Sequence, residues 1–535
     1  MTHNFALANV KVVTEQKELD DLVRALGENK LPLHRPCMEG TRTTILQEIE
    51  NEIKSVDGHN LIWIRGSPGV GKSALAASVT TRLREQGRHF ISFRFDRTQS
   101  ATITTDALWC VVALGLARLY PSVRQHILNI VQKNRVSELH DIDGRFKFLI
   151  ETPLLSLNDV SREDLPVIVI DALDECGGLR YDLPGKDDYK GLLHTLKHWA
   201  HVDHLKRFKL VIASRQEDHI IQTFPKLISI HITVPSGSDV QLGDAASEDI
   251  RIFLKSSLKS MGMKDTLIKK ALDYLVPRAA GIFIWATTVA NFLELDPEGR
   301  FATLEKGLKS LYSLYEKIIK ASFGHELDEE EIGAVTSVMG AMIFAKQALD
   351  DDALIMLPQV RIPYSDANRL GLIRKGLASV IESGSILRFH HRSLEDFLLS
   401  TFFLQQLPEF STVQDRGYHE HQLAVLCLKT LVSPSLHFNM CNLESSIIKN
   451  VDIQPTFKST IPSLVLYSCL FWVDHIIQTP FEEKMIEAVE FVMYEKLLFW
   501  LEVMSLTGNV HEAYMILRKA ATWKVCFQII SLQYI

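Results

Sequence analysis

The apolar positions of this chain follow two different spacings, and the spacing changes near residue 235. Between residues 60 and 234, short unbroken apolar runs alternate with stretches whose apolar residues recur every three or four positions. Unbroken runs indicate strands buried on both faces, and the other spacing indicates amphipathic helices. Five strands are predicted, at Leu61–Ile64, Phe90–Phe95, Val167–Asp171, Lys209–Ala213 and Ser229–Val234. The alternation predicts an α/β fold, with a parallel five-stranded sheet and helices on both faces.

Beyond residue 235 the spacing is almost entirely helical. Ser247–Leu258, Asp265–Val276 and Ile282–Leu295 predict a small helical bundle. Residues 330–405 then contain three helical stretches, a turn at Gly384-Ser385, a short strand at 386–389 and a last helix at Ser393–Phe403. This make-up is typical of a winged helix.

Winged helices often read DNA through their third helix, which is predicted here at Asn368–Ile381. That stretch offers only three basic residues, Arg369, Arg374 and Lys375. The small number of cations argues against a DNA-binding role.

The predicted domain boundaries follow these changes of pattern. A short N-terminal segment covers residues 1–35 and an α/β domain covers 36–235, closed by a linker at Pro235-Ser236-Gly237-Ser238. A helical domain at 236–325, a winged helix at 326–405 and a helical region at 406–535 complete the prediction.

The first predicted strand runs directly into a glycine-rich loop, Gly66-Ser67-Pro68-Gly69-Val70-Gly71-Lys72-Ser73, followed by a small apolar stretch that begins at Ala74. The pattern G-x-x-x-x-G-K-S between a strand and a helix is that of a phosphate-binding loop. Lys72 would neutralise the β- and γ-phosphates, and Ser73 would hold Mg²⁺. Residues 66–74 are therefore predicted to bind a nucleoside triphosphate. The alternative is a glycine-rich turn with a surface lysine.

A cluster of acidic residues follows the third predicted strand. Asp171, Asp174 and Glu175 fall within five residues, and Asp171 ends the buried run. The carboxyl end of a parallel strand is where a Mg²⁺-binding carboxylate is expected. Asp171 is predicted to bind the metal, and Glu175, assisted by Asp174, to orient or deprotonate water. A solvated acidic turn is the alternative.

The fourth predicted strand runs into Ser214-Arg215. A guanidinium at this edge of the sheet would lie beside the γ-phosphate, because it is permanently charged and matches phosphate oxygens. Arg215 is predicted to report whether that phosphate is present. An ordinary surface arginine is the alternative.

Composition narrows the class of protein. The 535 residues are 46% hydrophobic and 23% charged, as in a folded soluble protein of several domains. A net charge of −7 argues against a dedicated nucleic-acid surface. Seven scattered cysteines without a C-x-x-C pair suggest free thiols in a reducing compartment. No apolar run is long enough to span a bilayer, and a cytoplasmic location is expected.

Together these pieces resemble a fungal-type NACHT protein, one of the signal-transduction ATPases with numerous domains. The P-loop portion is similar to the nephrocystin-3-like N-terminal domain, and the resemblance covers residues from about 35 to 525. Residues 33–42 are similar to the family's Cys-x-x-Gly-Thr-Arg segment, which lies near the nucleotide base in related proteins. Gly66–Ser73 matches Walker A and Val167–Glu175 the extended Walker B pattern h-h-h-D-x-L-D-E. Ser214-Arg215 matches the sensor motif, although Gln216 stands where proline is usual.

Two further segments carry the resemblance. Ala280–Ala286 is similar to the family's Gly-Leu-Phe-Ile-Trp-Ala helix start, and Phe389–Leu398 to the winged-helix pattern His-x-Ser-Phe-x-Asp-Phe-Leu. The second match implies that His391 reaches the diphosphate and locks a closed, ADP-bound state. The alternative is a satisfied core or helix-capping histidine.

The resemblance implies a switch controlled by exchange of ADP for ATP, with Mg²⁺, whose open form self-associates or joins longer NACHT relatives through the P-loop core. Slow ATP hydrolysis would be a secondary output. Relatives usually carry an effector domain and a repeat sensor, so the chain is expected to be a truncated regulator that lacks both. A continuously cycling ATPase and a scaffold with a vestigial nucleotide site remain as alternatives.

Overall fold

The computed structural model describes residues 15–23, 26–27, 32–56, 58–96, 105–132, 141–176, 186–235, 243–305, 308, 310–323, 327–357, 360, 369–382, 384, 386–445, 460–480 and 482–533. The chain divides into two compact units, Met1–Ser310 and Leu311–Ile535. Each unit is described by itself below. The domain boundaries expected from the sequence remain a prediction.

A five-stranded parallel sheet forms the centre of the first unit. Its strands are β1 (Leu61–Arg65), β2 (Phe90–Arg94), β3 (Val167–Asp171), β4 (Leu210–Ser214) and β5 (Ile230–Thr233). Their order across the sheet is β2-β3-β4-β1-β5, and every neighbouring pair is parallel. The predicted sheet is confirmed, with strand ends shifted by a residue or two.

Both faces of the sheet are covered, and this explains the unbroken apolar runs. Leu61 and Trp63 of β1 pack into one hydrophobic cluster, while Ile62 and Ile64 pack into a second cluster on the other face. Alternate residues of a strand point to opposite faces, so burial of both faces requires apolar residues at consecutive positions. The fold is an α/β P-loop NTPase fold with a mostly helical remainder.

Helices surround the sheet and continue beyond it in the first unit. One cluster packs the helices between β2 and β4 against one face, and the helices on either side of β1 in the chain cover the other. In chain order, α1 to α13 are 15–23, Thr43–Lys54, Lys72–Glu85, Thr105–Leu119, Pro121–Gln132, Ile142–Phe146, Thr152–Leu154, Lys186–His201, Asp218–Thr223, Gly243–Ser260, Asp265–Ala279, Phe283–Glu294 and Pro297–Glu305.

The three helices predicted directly after the sheet are therefore present as α10, α11 and α12. Of the linker predicted at residues 235–238, positions 236–238 lie outside the described residues.

The second unit is helical in its described part. In chain order, α14 to α24 are Leu311–Phe323, Glu329–Phe344, Asp351–Ile355, Arg369–Leu377, Ser393–Leu398, Thr401–Gln406, Arg416–Val432, Ser463–Ile476, Glu483–Phe491, Leu497–Leu506 and Val510–Gln533. Its buried interior is rich in large side chains, among them Tyr315, Phe397, Trp472 and Trp500.

Two local predictions in this unit were wrong. The single helix expected at Ser393–Phe403 is two helices, α18 and α19, because the Ser400 side chain accepts a hydrogen bond from the Phe403 amide at 3.2 Å and caps a new helix. The strand expected at 386–389 is reduced to two antiparallel bridges, Asp350–Ile386 and Ile381–Phe389. Asn368 and Ser385 lie outside the described residues, and the winged helix stays a prediction.

Candidate functional site

The glycine-rich loop connects β1 to α3 as the sequence predicts. β1 ends at Arg65 and α3 begins at Lys72, so the loop occupies the turn between them. Gly71 precedes the helix with φ of 97°, a left-handed conformation that a residue with a Cβ rarely adopts. A helix that begins directly after a glycine-rich turn presents its first N–H groups to an anion.

Lys72 lies among the charged groups that the sequence singled out. Its ammonium donates hydrogen bonds to the carbonyls of Gly66 and Ser67, each at 3.0 Å. Burial lowers the pKa of Lys72 to about 8, while the charges of Asp174, Asp171 and Glu175 oppose that shift and Arg215 adds to it. The structure therefore brings the loop, the acidic cluster and Arg215 to one site.

Asp171 is the least satisfied of these groups. It is the last residue of β3 and only 1% exposed, and neither carboxylate oxygen makes a hydrogen bond of normal geometry within the described part of the chain. Burial raises its pKa to about 6, partly offset by the charge of Arg94 and the nearby Ser73 hydroxyl. A buried carboxylate without a partner is costly, and a cation is the group that would satisfy it.

The donor set fits Mg²⁺ in a nucleotide site. Mg²⁺ is usually held by one or two protein oxygens together with phosphates and water, and Asp171 and the Ser73 hydroxyl provide such oxygens. Among the described residues there is no group of three or more His, Cys, Asp or Glu side chains suited to a metal ion. A magnesium ion at this site would therefore depend on a bound nucleotide for its remaining ligands.

Asp174 and Arg215 form a buried ion pair. Ala172, with φ of 56°, turns the chain at the end of β3, and the 3-10 turn Leu173–Glu175 follows. One Asp174 oxygen accepts the Arg215 backbone N–H at 2.9 Å, and the other lies 3.2 Å from the Arg215 Nε. The two side chains are 5% and 17% exposed, so neither is an ordinary surface residue. Asp174 thus orients Arg215; the roles of Asp174, Glu175 and Arg215 in catalysis stay predictions.

Ser214 has a structural role in the sheet. It is fully buried, accepts a hydrogen bond from the Trp63 indole at 2.8 Å, and donates one to the Arg215 carbonyl at 3.0 Å. These bonds hold the end of β4 against β1 and set the position from which Arg215 leaves the sheet.

The sequence analysis missed Arg94, the last residue of β2. Arg94 is the register partner of Asp171 on the neighbouring strand, and its Nη2 lies 4.0 Å from an oxygen of the buried Asp96. Burial and the charge of Arg94 lower the pKa of His34 to about 4, against the effect of Asp96. The available signal was an arginine at a predicted strand end, but its proximity to Asp171 follows only from the strand order.

His391 lies in the second unit, just before α18. Its Nδ1 accepts a hydrogen bond from the Ser393 amide at 3.1 Å and lies 2.8 Å from the Ser393 hydroxyl. That hydroxyl is also 2.8 Å from the hydroxyl of Tyr315. These contacts are those of a local helix-start arrangement, and the predicted role of His391 toward a diphosphate stays a prediction.

Comparison with known proteins relates part of the chain to a family model and most of it to one curated protein. The family model described as nephrocystin 3, N-terminal, matches residues 40–215, an interval that contains the loop and the acidic cluster and ends at Arg215. The vegetative incompatibility protein HET-E-1 of Podospora anserina is 24% identical in an alignment of 507 residues that covers 86% of this chain and 34% of that protein. Both findings support a resemblance to fungal NACHT-like proteins. The chain spans about a third of the length of this curated relative.

Two solved structures align with most of this chain at low identity. A Walker-type ATPase of Pyrococcus abyssi aligns with 14% identity and a TM-score of 0.35, covering 72% of this chain and 99% of that one. The ORC2 protein of Aeropyrum pernix aligns with 10% identity and a TM-score of 0.32, covering 74% and 97%. Within the described residues of this chain, no helix has the length and apolar character needed to cross a membrane.

Proposed function

We propose that this NACHT-like protein is a signalling switch operated by ATP and ADP, bound with Mg²⁺ at the carboxyl edge of the parallel sheet. One observation carries the proposal. Asp171 is buried without a hydrogen-bond partner of normal geometry, at the edge where the glycine-rich loop presents Lys72 and Ser73. A fold that maintains an unsatisfied carboxylate beside a phosphate-binding loop is suited to a metal–nucleotide ligand.

Each residue of the site has a role in the proposal. The backbone N–H groups of residues 66–74 and the Lys72 ammonium bind the phosphates. Ser73 and Asp171 hold Mg²⁺, which supplies positive charge to the β- and γ-phosphate oxygens. Glu175 orients a water molecule for slow hydrolysis, and Asp174 holds Arg215 in place through two contacts.

Exchange of ADP for ATP is the proposed signal, and self-association or association with longer NACHT relatives through the P-loop core is the proposed output. His391 would stabilise the ADP-bound state. A ligand that binds the two states with different affinity shifts their populations, so nucleotide identity would determine the fraction that associates.

The first test is the nucleotide that copurifies with the protein. The protein is denatured and the supernatant is analysed by ion-exchange chromatography for wild type, Lys72→Ala and the matched control Lys54→Ala, whose lysine is 58% exposed on α2. We expect ADP in wild type and in the control, and none in Lys72→Ala. An empty wild-type site with rapid steady-state hydrolysis would favour a cycling ATPase. An empty site that neither binds nor hydrolyses ATP would leave a scaffold.

The second test concerns the output. We expect the wild-type protein to remain small with ADP and to form larger species with a non-hydrolysable ATP analogue, measured by light scattering after gel filtration. Identical mass in both nucleotides, in a protein that binds both, would contradict the switch while leaving nucleotide binding intact.

A further inference from the structure

The carbonyl side of the glycine-rich loop is held by residues far away in the sequence. The Gly69 carbonyl accepts a hydrogen bond from the Ile284 amide at 3.0 Å, and the Val70 carbonyl accepts one from the Arg42 Nη2 at 2.8 Å. In a planar trans peptide the C=O and the following N–H point in opposite directions. Holding these two carbonyls on one side therefore turns the N–H groups of Val70 and Gly71 to the other side.

The first turn of α12 contacts the loop directly. A Cβ added to Gly69 would lie 2.3 Å from the Ile284 Cγ2, and Gly69 has φ of 76°. Both the space and the backbone conformation therefore require glycine here. The loop and the start of α12 can keep this geometry only if they remain in contact.

Arg42 connects the loop to two helices of the segment after the sheet. The residue is 3% exposed; its amide donates to the Asp249 Oδ1 at 3.1 Å, and its Nε lies 3.8 Å from the Asp249 Oδ2 on α10. Its guanidinium lies 4.7 Å from the ring centre of Phe283, the first residue of α12. One buried arginine thus contacts α10, α12 and the Val70 carbonyl.

We propose that Arg42 is a positioning residue, which orients the peptides of Gly69 and Val70 for phosphate binding and couples nucleotide occupancy to the docking of α10 and α12. The proposal rests on the nucleotide binding proposed above. An arginine suits this position because its planar fork can bind a carboxylate and a carbonyl at once while its face stacks on an aromatic ring.

The coupling acts in both directions. If docking of α10 and α12 orders the loop, nucleotide that binds the ordered loop must stabilise the docked helices by the same free energy. The Arg42 contacts therefore give the helical segment a means to respond to the nucleotide site without touching the nucleotide.

The test uses the full chain with three substitutions and a matched control. Arg42→Gln removes the charge and the fork, Arg42→Lys keeps only the charge, and Asp249→Asn weakens the pair but leaves the Val70 contact. The control Arg82→Gln breaks an ion pair between α3 and α2, in which the Arg82 Nη1 lies 2.6 Å from the Glu50 Oε1.

Two measurements are made on each variant: amide hydrogen exchange without nucleotide, and the affinity for a fluorescent ADP analogue. For Arg42→Gln we expect about tenfold faster exchange of the Ile284 amide, which donates to the Gly69 carbonyl and reports loop exchange, and about tenfold weaker ADP binding. Arg42→Lys and Asp249→Asn should give smaller effects in the same direction. A merely structural arginine would instead speed exchange throughout the sheet and α3.

The outcomes separate this inference from the proposed function. ADP binding in wild type, with unchanged loop exchange and affinity in all Arg42 and Asp249 variants, would overturn the positioning role alone. No ADP binding in wild type would overturn the proposed function. In that case, faster loop exchange in Arg42→Gln but not in Arg82→Gln would still support the orienting role. Unchanged loop exchange in Arg42→Gln would overturn the orienting role as well.

Discussion

Each of the two units buries a carboxylate, but only one of these carboxylates has hydrogen-bond partners of normal geometry among the described residues. Asp171 in the first unit and Glu420 in the second are both 1% exposed. Asp171 makes no hydrogen bond of normal geometry within the described residues, and burial raises its pKa to about 6. Burial also acts to raise the pKa of Glu420, but hydrogen bonds and charges from its neighbours outweigh this effect, and its pKa lies below the ordinary value.

The neighbours of Glu420 form a fully satisfied network. The Lys346 ammonium donates to Oε1 at 3.1 Å, and the His475 Nδ1 lies 2.7 Å from Oε2. The His475 Nε2 lies 2.7 Å from the Tyr467 hydroxyl, which accepts the Lys346 backbone N–H at 3.1 Å. A neutral His475 protonated on Nδ1 satisfies every bond.

The comparison shows that burial of a charge does not by itself mark a functional site. A carboxylate whose partners are all in the protein contributes to a defined packing, whereas one whose partners are missing indicates a ligand. Glu420 therefore belongs to the structure of its unit, whereas the surroundings of Asp171 support the metal–nucleotide site proposed for it.

The largest expected effect is on the paired carboxylate. Glu420→Gln should lower the free energy of unfolding of the second unit by about 3 kcal/mol, because Lys346 loses its counter-charge and one donor loses its acceptor. Urea unfolding followed by circular dichroism measures the change. Glu444→Gln, at an exposed carboxylate, is the control. Equal free energies of unfolding for both variants would mean that the partners of Glu420 add no stability beyond that of an exposed carboxylate.

The matched change at the other carboxylate should have the opposite sign. Asp171→Asn should raise the free energy of unfolding of the first unit by about 1–3 kcal/mol at neutral pH, since it removes a buried charge whose cost Arg94 and Ser73 offset only in part. It should also abolish the magnesium dependence of nucleotide binding, measured by calorimetry with and without Mg²⁺. A destabilised Asp171→Asn protein would mean that the carboxylate is satisfied in the free fold.

The two regions should also respond differently to pH. Burial lowers the pKa of His475 below its ordinary 6.5, so the unfolded chain binds a proton that the folded unit rejects. His475 therefore costs the folded unit no stability above about pH 6.5. As the pH falls below that value, protonation of the unfolded chain lowers the free energy of unfolding. The raised pKa of Asp171 has the opposite effect, because protonation of its carboxyl group below about pH 6 removes the free-energy cost of a buried charge in the first unit.

Unfolding midpoints between about pH 7.5 and about pH 5 test this prediction. We expect the acid-induced loss of about 1 kcal/mol in the second unit to be absent from His475→Gln, and the compensating gain in the first unit to be absent from Asp171→Asn. The same pH profile in wild type and both variants would exclude these two groups as its source.

The smallest expected effect concerns Arg94, the register partner of Asp171. Arg94→Gln removes a cation that competes with the metal, so Mg²⁺ affinity in the presence of ADP should rise a few-fold at about pH 8. Titration of Mg²⁺ into the ADP-bound protein measures it, with Arg84→Gln, on the exposed side of α3, as control. Weaker Mg²⁺ binding would instead indicate that Arg94 positions Asp171.

The sequence predicted those parts of the candidate site whose residues are close together along the chain. It did not predict the contacts between residues that are far apart in the chain. The loop before α3, the acids after β3 and the order of helix and strand all leave local signals in spacing and residue type. The Asp174–Arg215 pair joins two strand ends, and the Arg42 contacts join the segment before α2 to α10 and α12. The sequence singled out Arg215 at a strand end and included Arg42 in the segment at 33–42, but no local pattern predicts which residues these arginines contact.

The sequence by itself determined the parallel sheet, because burial on both faces requires unbroken apolar runs. It also determined the glycine-rich loop, because residues with a Cβ rarely adopt the backbone conformation found at Gly69 and Gly71. Only the tertiary structure decided which charges are satisfied. Arg94 and Ser73, the groups near Asp171, come from distant parts of the chain, as do Lys346 and His475, the partners of Glu420. The cost of a buried carboxylate depends on such neighbours rather than on the residue itself.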